Sequence, residues 1–183
     1  GGGPGGMEAA RILAIKGFKP VLFEKRDCLG GSVYLGSKPP LKEKLNWLID
    51  NMIYQLKLLN VDIRTNTEPT IDDLKKLNPY AVFLATGAKS IIPKIPGVDG
   101  KNIITAIEVL EKELDIKDKK IIVVGSGMTG LETTEYLAKK GNSLTVVEML
   151  NNIGPGVYGA NLYDITTRLK KYGVNMFLCK KLV

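Results

Sequence analysis

The sequence of 183 residues predicts an α/β protein made of two similar units, each built around parallel β-strands. Two observations support this fold class. Short apolar runs that are typical of buried strands alternate with stretches of helical periodicity. A glycine-rich segment at the start of the chain also returns near residue 125, and the residues that follow the two segments match one another. The chain therefore contains an internal duplication.

The duplication pairs Gly1–Gly6 with Gly125–Gly130, at a separation of 124 residues. Further matches follow at the same separation: Glu8 and Glu132, Leu13 and Leu137, Gly17 and Gly141, and Glu24 and Glu148. Each copy thus has the pattern G-x-G-x-x-G, a helix-length stretch, a glycine turn, a β-rich run and a glutamate 18 residues after the last glycine. This is the dinucleotide-binding fingerprint of a Rossmann-like unit.

Each position of the fingerprint has its own physical role. The first glycine permits a tight turn from strand to helix, the second removes a Cβ where a pyrophosphate approaches, and the third lets helix and strand pack closely. The helix N-terminus presents N–H groups and a positive dipole end to the phosphates. The glutamate accepts hydrogen bonds from the ribose hydroxyls. One copy alone would be a weak signal, whereas two copies with the same glutamate offset are specific.

The predicted elements of the first unit follow the fingerprint in order. Because the chain begins at Gly1, we expect the strand that leads into this fingerprint to be missing. The expected elements are a strand at Pro20–Phe23, a long amphipathic helix from about Leu41 to Asn60, short strands at Val61–Arg64 and Thr67–Thr70, a helix capped by Thr70 and Asp73, and a buried strand at Tyr80–Thr86. Thr86 and Gly87 would then lie at the carboxyl end of a parallel strand, where such sheets bind ligands.

The second unit is predicted to contain its leading strand, Lys120–Val124, which runs into Gly125. A short helix around Ile107–Leu114 precedes it, and Ser143–Val147, Leu162–Lys171 and Val174–Leu178 are predicted as strand, helix and strand. We expect residues 1–115 to form the first part of one domain and residues 116–183 the first part of another, both truncated.

Composition excludes several classes of site. The chain has no histidine, which excludes histidine-based catalysis and the usual zinc sites, and its two cysteines, Cys28 and Cys179, form no local pair. We therefore predict no catalytic residue and no metal site in this segment, and a cytoplasmic location. The net charge of +7 is spread evenly along the chain, which argues against a nucleic-acid interface. The apolar runs are too short to cross a membrane.

If the dinucleotide of the second unit is a nicotinamide cofactor, Glu148 favours NADH over NADPH, because a carboxylate repels a 2'-phosphate and no Lys or Arg lies between Met149 and Thr167. The phosphate turn of this unit is predicted to comprise Gly125, Gly127, Met128, Thr129 and Gly130. Glu132 has two interpretations that the sequence leaves open: it faces the nicotinamide cleft, or it is an ordinary carboxylate near a helix N-terminus.

Several segments together resemble the Old Yellow Enzyme-like NADH:flavin oxidoreductases, the 2,4-dienoyl-CoA reductase and 2-enoate reductase group. The matching segments are Gly1–Gly6, Glu24, Leu29–Gly31, Pro39–Lys42, Leu84–Ala88, Ile95–Gly97, the second fingerprint and Val146–Leu150. The resemblance covers essentially the whole chain. It implies an FAD domain interrupted by a nicotinamide domain, following a barrel domain with FMN and a 4Fe-4S cluster that this sequence does not contain. Hydride would pass from NADH to FAD, and the barrel would reduce an activated C=C bond.

The same resemblance implies roles for individual residues. FAD pyrophosphate would be lined by Gly1, Gly3, Pro4, Gly5 and Gly6, with Glu24 on the adenosine ribose and Lys25 or Arg26 beside the adenine. Gly31 is followed by Ser32 where the family usually has glutamine. Lys42 matches a flavin-contacting lysine, although a solvated lysine at a helix start would look the same. Thr67 would offer backbone groups to the adenine edge.

Two alternatives remain open on sequence grounds. One is a pyridine nucleotide-disulfide oxidoreductase or NADH oxidase, which needs a redox cysteine near the flavin; Cys28 follows Glu24 by four residues and so lies on the adenosine side. The other is a non-catalytic nucleotide-binding module. The partners we expect are the dinucleotides and the barrel domain of the same chain. An unfilled strand position in the first sheet would also permit association between copies.

Overall fold

A computed structural model describes residues 1–182 and divides the chain into two compact units. The first unit comprises Gly1–Ser37 and Lys42–Lys89, and the second comprises Lys38–Leu41 and the chain from Ser90 onward. Both units are α/β, and every strand pair is parallel, which confirms the predicted fold class. The predicted boundary between residues 115 and 116 falls within the sequence range of the second unit.

The first unit contains four helices and two strands: α1 (Pro4–Ile15), β1 (Val21–Phe23), α2 (Gly31–Gly36), α3 (Leu45–Leu58), β2 (Asp62–Arg64) and α4 (Ile71–Lys76). β1 pairs with β2, with Leu22 opposite Ile63. The core forms where α1 and α3 pack on one face of this sheet, through Met7, Ala10, Leu22, Leu29 and Leu56. The fingerprint loop therefore leads directly into the helix that covers the sheet.

The second unit repeats this arrangement with one additional strand. Its elements are α5 (Ala106–Glu111), β3 (Lys120–Val124), α6 (Met128–Ala138), β4 (Ser143–Val147), α7 (Gly159–Lys171) and β5 (Asn175–Phe177). The strands are ordered β3-β4-β5. Two apolar clusters lie around α6: Leu137 and Leu144 belong to one, and Leu131, Ile165 and Leu169 belong to the other.

The structure shows that the duplication continues beyond the glutamates at a second, shorter separation in sequence. β2 and β5 correspond at a separation of 113 residues, and Leu56 and Leu169, both fully buried, correspond at the same separation. Asn66 and Cys179 also correspond, and both have positive φ angles, of 51° and 54°. The first copy thus has 11 more residues between its glutamate and its third strand position than the second copy has. This change of register hides the third strand from a search at constant spacing.

Two predicted strands are absent from the described residues. Tyr80–Thr86 forms no strand, and Tyr80 and Leu84 are 98% and 84% exposed. A strand needs a neighbour for its backbone hydrogen bonds, and β1 pairs only with β2 among the residues that the structure describes, so nothing pairs with this segment. The prediction of a buried strand at Tyr80–Thr86 is therefore wrong for this structure.

Thr67–Thr70 also forms no strand. Thr67 continues the pairing beyond β2 by donating its N–H to the Glu24 carbonyl at 2.9 Å. Pro69 has no N–H to continue the ladder, and Thr70 is already the N-cap of α4. The chain therefore leaves the sheet after Thr67 and enters the predicted helix at Ile71.

The remaining elements agree closely with prediction. α3 starts at Leu45 rather than Leu41, because Pro39 and Pro40 are followed by Leu41 at a positive φ of 65°, outside the helical region. α2 was not predicted, and α7 starts three residues earlier than expected. None of the helices within residues 1–182 combines the length and the apolar character that crossing a membrane requires.

Candidate functional site

The third glycine of each fingerprint is required by close packing against the first. A Cβ added to Gly6 would lie 1.9 Å from the Gly1 carbonyl oxygen, and one added to Gly130 would lie 2.1 Å from that of Gly125. Both distances are far below van der Waals contact. The two loops therefore have the same tight turn from the first glycine into the helix.

The second glycine of each fingerprint, in contrast, has open space around it. Gly3 and Gly127 are the N-caps of α1 and α6, in extended conformations that any residue adopts. A Cβ on Gly127 would meet nothing within 4 Å, and one on Gly3 would make only an ordinary 3.7 Å contact with the Gly31 Cα. Nothing in either unit requires glycine there, and the bare backbone is what a close-fitting ligand needs.

The N-termini of α1 and α6 receive no cap from the chain's own side chains, a property that they share with α2, α3 and α7. α4 and α5 have complete capping boxes, Thr70 with Asp73 and Thr105 with Glu108. α1 and α6 have no side-chain cap and no acidic residue in their first turns. Their N–H groups and dipole ends are thus left to an external anion, and a dinucleotide pyrophosphate fits such a site.

Glu24 ties the end of β1 to the first loop. Its Oε2 accepts a hydrogen bond from the Gly2 N–H at 2.6 Å, and its Oε1 accepts one from the Arg26 N–H at 2.9 Å. The side chain is buried. The carboxylate therefore sits directly beside the glycine loop, where the fingerprint places the ribose-binding acid.

Glu148 is held by the same pattern in the second unit. Its Oε2 accepts from the Ser126 N–H at 2.9 Å and its Oε1 from the Leu150 N–H at 3.0 Å. These are the positions 124 residues beyond Gly2 and Arg26. The backbone N–H of Leu150, followed by the N–H and hydroxyl of Ser126, holds the pKa of Glu148 below its usual range. Glu148 is therefore an oriented anion at neutral pH.

The chain that follows the neighbouring strand is hydrogen-bonded to the backbone of each glutamate. Thr67 donates its N–H to the Glu24 carbonyl, and Lys180 donates its N–H to the Glu148 carbonyl, both at 2.9 Å. The structure thus places Thr67 beside Glu24, and its contact with the adenine remains a prediction. Lys180 is its counterpart in the second unit, and sequence reasoning missed it because the third strands correspond at 113 rather than 124 residues.

Gly30 and Gly31 close over the first loop. The Gly30 N–H donates to the Gly2 carbonyl at 2.9 Å, and a Cβ on Gly31, where φ is +52°, would lie 2.8 Å from the Gly3 Cα. Ser32 follows in the first turn of α2 with its side chain exposed. This segment therefore packs directly against the glycine loop.

The other predicted residues of the first unit are distributed around this loop. A Cβ on Gly1 would lie 2.4 Å from the Ala85 carbonyl oxygen, so Thr86 and Gly87 follow directly beside the loop, and both are exposed. Pro4 and Gly5 begin α1, and Lys25 is exposed after Glu24. Lys42 lies half-buried before α3, where its carbonyl accepts the Leu45 N–H.

In the second unit, Met128 and Thr129 form the first turn of α6 together with Gly130. Met128 is half-buried and Thr129 is exposed. Burial raises the pKa of the Cys28 thiol in the first unit, so this cysteine is not an activated thiolate. Residues 1–182 contain no cluster of acidic or sulfur side chains suited to a metal ion.

A surface cavity of about 290 Å³ lies on the first unit and is lined by Phe23, Arg64, Thr67, Pro69, Asp73, Lys76 and Leu77. It includes Thr67 but none of the glycine-loop residues. The candidate sites are thus defined by the two loops and their anchored glutamates rather than by this cavity.

Comparison with known proteins identifies relatives of the whole chain. A family profile described as pyridine nucleotide-disulphide oxidoreductase matches residues 1–182. The NADH oxidase of Thermoanaerobacter brockii is 34% identical over 96% of this chain and 27% of that protein. The bilirubin reductase of Mediterraneibacter gnavus is 38% identical over 84% of this chain and 24% of that protein. The chain therefore spans about a quarter of the length of these curated relatives.

A solved structure of 2-naphthoyl-CoA reductase in complex with 2-naphthoyl-CoA superimposes on this chain with a TM-score of 0.94. The two sequences are 32% identical, and the match covers 100% of this chain and 27% of that chain. These relatives confirm the resemblance that was identified from the sequence motifs.

Proposed function

The chain belongs to the pyridine nucleotide-disulphide oxidoreductase family, and from this premise we propose that its first unit binds FAD and its second binds NADH. Within a flavin-dependent oxidoreductase, the two units would pass a hydride from NADH to FAD. This proposal extends the family assignment to the individual sites.

The observation that carries the proposal is the matched pair of glycine loops. In each loop, the uncapped N-terminus of α1 or α6 lies beside a glycine with open space around it and a glutamate that is anchored to the loop backbone. An open N-terminus of this kind binds phosphate through N–H groups and the helix dipole. Two such sites in one chain suit two dinucleotides.

The residues around each loop support specific roles. FAD pyrophosphate would be held by the backbone of Gly1, Gly3, Pro4, Gly5 and Gly6, with Gly31, Ser32, Thr86 and Gly87 at its edges, and NADH pyrophosphate by Gly125, Gly127, Met128, Thr129 and Gly130. Glu24 and Glu148 would accept hydrogen bonds from the adenosine riboses. Lys25, Lys42 and Thr67 remain predicted contacts of the adenine and flavin parts of FAD.

The negative charge of Glu148 supports NADH rather than NADPH. Its carboxylate is held in the charged form by three hydrogen-bond donors, and a 2'-phosphate placed beside it would be repelled. The ribose 2'-hydroxyl of NADH would instead donate a hydrogen bond to it.

When bound, the nicotinamide supplies a hydride, two electrons with one proton, to the flavin. The residues of this chain would bind the phosphates and orient the riboses, and we assign none of their side chains a role in proton transfer.

We extend the proposal to the whole protein. The electrons would be used to reduce an activated C=C bond of an enoate or enoyl-CoA, in a barrel domain with FMN and a 4Fe-4S cluster. The names of the bilirubin, cinnamate and 2-naphthoyl-CoA reductases among the relatives support that substrate class.

Gly127→Ala tests the NADH site. The added Cβ meets nothing within 4 Å, so we expect an unchanged fold, whereas a pyrophosphate that approaches the bare backbone would be displaced. NADH affinity, measured by calorimetry, is expected to fall by about tenfold or more, equivalent to about 1.4 kcal/mol.

Gly159→Ala is the matched control. Gly159 also begins a helix, α7, and a Cβ there also meets nothing within 4 Å, but it lies outside the fingerprint. We expect this variant to bind NADH like the unmodified chain. Equal NADH affinity in Gly127→Ala and Gly159→Ala would contradict the proposed site.

The relative named NADH oxidase supports an alternative for the whole protein, in which oxygen is the electron acceptor. Oxidation of NADH by the full-length protein, followed with oxygen alone and then with an enoate under anaerobic conditions, separates the two activities. A full-length protein whose flavin absorbance does not bleach with NADH would instead support a non-catalytic nucleotide-binding module.

A further inference from the structure

The two loops differ at one buried position, Gly2 in the first and Ser126 in the second. A Cβ on Gly2 would lie 2.4 Å from the Leu29 Cδ2, so a side chain there would require the end of Leu29 to move. Ser126 is fully buried, with no solvent exposure. The second unit has therefore made space for a hydroxyl beside its glutamate.

The hydroxyl of Ser126 makes two contacts that the first unit lacks. Its Oγ–H donates to the Glu148 Oε2 at 2.8 Å, and its Oγ accepts from the Gly154 N–H at 3.1 Å. In the first unit the equivalent N–H, that of Gly30, donates to the Gly2 backbone carbonyl instead. Because a hydroxyl has one proton and the Gly154 N–H can only donate, the Ser126 proton is directed at the carboxylate.

We infer that Ser126 is a positioning residue that sets the dinucleotide preference of the second unit by holding the Glu148 carboxylate charged and oriented. The inference rests on the proposed function, in which Glu148 faces the adenosine ribose. Oε2 receives two hydrogen bonds from Ser126 and Oε1 receives one from Leu150, which leaves acceptor capacity on Oε1 for a ribose hydroxyl.

The donors that stabilise the charged Glu148 carboxylate are neutral groups. The backbone N–H groups of Leu150, Ser126 and Met149, together with the Ser126 hydroxyl, lower its pKa. The loss of one of these donors weakens the stabilisation of the charged carboxylate. The Ser126 hydroxyl is the one contributor among them that a side-chain substitution removes.

Ser126→Ala and Ser126→Gly test the inference on the full chain. The Ala variant removes the hydroxyl, and the Gly variant reproduces the residue that the first unit tolerates. Thr134→Val is the matched control, because Thr134 is equally buried and donates its hydroxyl to the Gly130 carbonyl without contacting Glu148.

The first measurement is the Glu148 carboxyl pKa, determined by an NMR pH titration of the ligand-free chain. We expect the pKa to rise by about one unit in both Ser126 variants, because a hydrogen bond to a charged group is lost, and to stay unchanged in Thr134→Val. An unchanged pKa in the Ser126 variants would overturn the positioning role irrespective of cofactor binding.

The second measurement is the affinity for NADH and for NADPH by calorimetry. We expect NADH to bind about tenfold more weakly to the Ser126 variants, and NADPH to be affected less, so that the preference narrows. Equal losses for both dinucleotides, or losses matched by Thr134→Val, would overturn the specificity role alone. If the unmodified chain does not bind NADH, the proposed function and the specificity role are both overturned. The NMR titration still tests whether the Ser126 hydroxyl stabilises the charged Glu148 carboxylate.

Discussion

Glu24 and Glu148 are bound to the backbone in the same way, although they belong to different units. Each carboxylate accepts a hydrogen bond from the backbone N–H of the second residue of its glycine loop. It accepts another from the backbone N–H of the residue two positions after the glutamate itself. For Glu148, these fixed N–H donors hold the carboxyl pKa below its ordinary value. Residues that resemble ligand contacts in the sequence thus also hold the loop against the strand end.

Glu148→Gln is expected to reduce the stability of the second unit, most strongly above pH 4.5. The glutamate pKa is lowered below its ordinary value of 4.5 in the fold, so its contribution is fully present above that pH and is lost as the pH falls through the folded pKa. At pH 7 we expect a loss of about 1–3 kcal/mol, because the glutamine NH₂ group faces N–H donors. Hydrogen exchange of the β3 and β4 amides between pH 3 and pH 7 measures it.

The control is Glu43→Gln, which changes an exposed side chain in the first unit. We expect it to leave the exchange of β3 and β4 unchanged at every pH. Parallel pH curves for the Glu148→Gln variant and the unmodified chain would contradict a charge-dependent contribution from Glu148.

At the scale of the elements, α6 and α7 are joined by a buried ion pair. Glu135 is almost fully buried on α6 and binds the Arg168 guanidinium on α7, with one contact at 3.0 Å between Nη2 and Oε2. Arg168 also pairs with Asp164, one turn earlier on α7. Both carboxylates raise the pKa of Arg168, so its guanidinium stays charged at any ordinary pH. The two helices that flank the second site are therefore held together by charge as well as by packing.

Arg168→Met is expected to destabilise the second unit by about 3–5 kcal/mol, because it leaves the Glu135 carboxylate buried without its partner. The double variant Glu135→Met/Arg168→Met should recover most of this loss, since both charges are then absent and the volume is similar. Urea unfolding followed by circular dichroism measures both. A double variant as unstable as Arg168→Met would refute this account.

Arg11→Met provides the comparison for an exposed pair. Arg11 and Glu8 form a salt bridge on the surface of α1, where water and salt screen the charges. We expect a much smaller effect than for Arg168→Met.

At the scale of the whole molecule, the described helices of the second unit pack on one face of its sheet. In the second unit Ile121, Val123 and Met176 pack toward the helices. Ile122, Val124 and Phe177 alternate with them along β3 and β5 and are 67%, 57% and 52% exposed. An apolar sheet face of this kind favours association.

The double variant Ile122→Thr/Val124→Thr is expected to reduce self-association of the chain and its binding of a hydrophobic dye. Threonine keeps the β-branched shape that suits a strand while replacing a methyl group by a hydroxyl. Sedimentation velocity across a concentration series measures the association. Ile91→Thr, which changes an isolated side chain that is 94% exposed, is the control. Equal association in all three chains would contradict a role for the sheet face.

Local signals predicted most of the fold. Glycine spacing located both loops, alternation and apolar runs located β1, β3 and β4, and the threonine and acidic residues at positions 70 and 73 predicted the start of α4. Each of these depends on contacts within a few residues of the chain. The two glutamates could be predicted equally well, because each follows the last glycine of its loop by the same number of residues.

Sequence reasoning failed where a partner from elsewhere in the chain decides the outcome. Tyr80–Thr86 has the composition of a buried strand, but composition does not provide a neighbouring strand. The contacts of Ser126 with Glu148 and Gly154 join residues 22 and 28 positions apart, and the position of Lys180 depends on the register of β5. Such contacts follow from folding rather than from spacing.

The sequence by itself determined the α/β class, the duplication and the two glycine loops with their glutamates, since steric limits on glycine and the periods of helix and strand act locally. The tertiary structure alone decided which strands find partners, and that a buried hydroxyl in one copy fixes the carboxylate beside it. Those outcomes depend on distances between segments that are remote in the chain, and only the folded arrangement sets those distances.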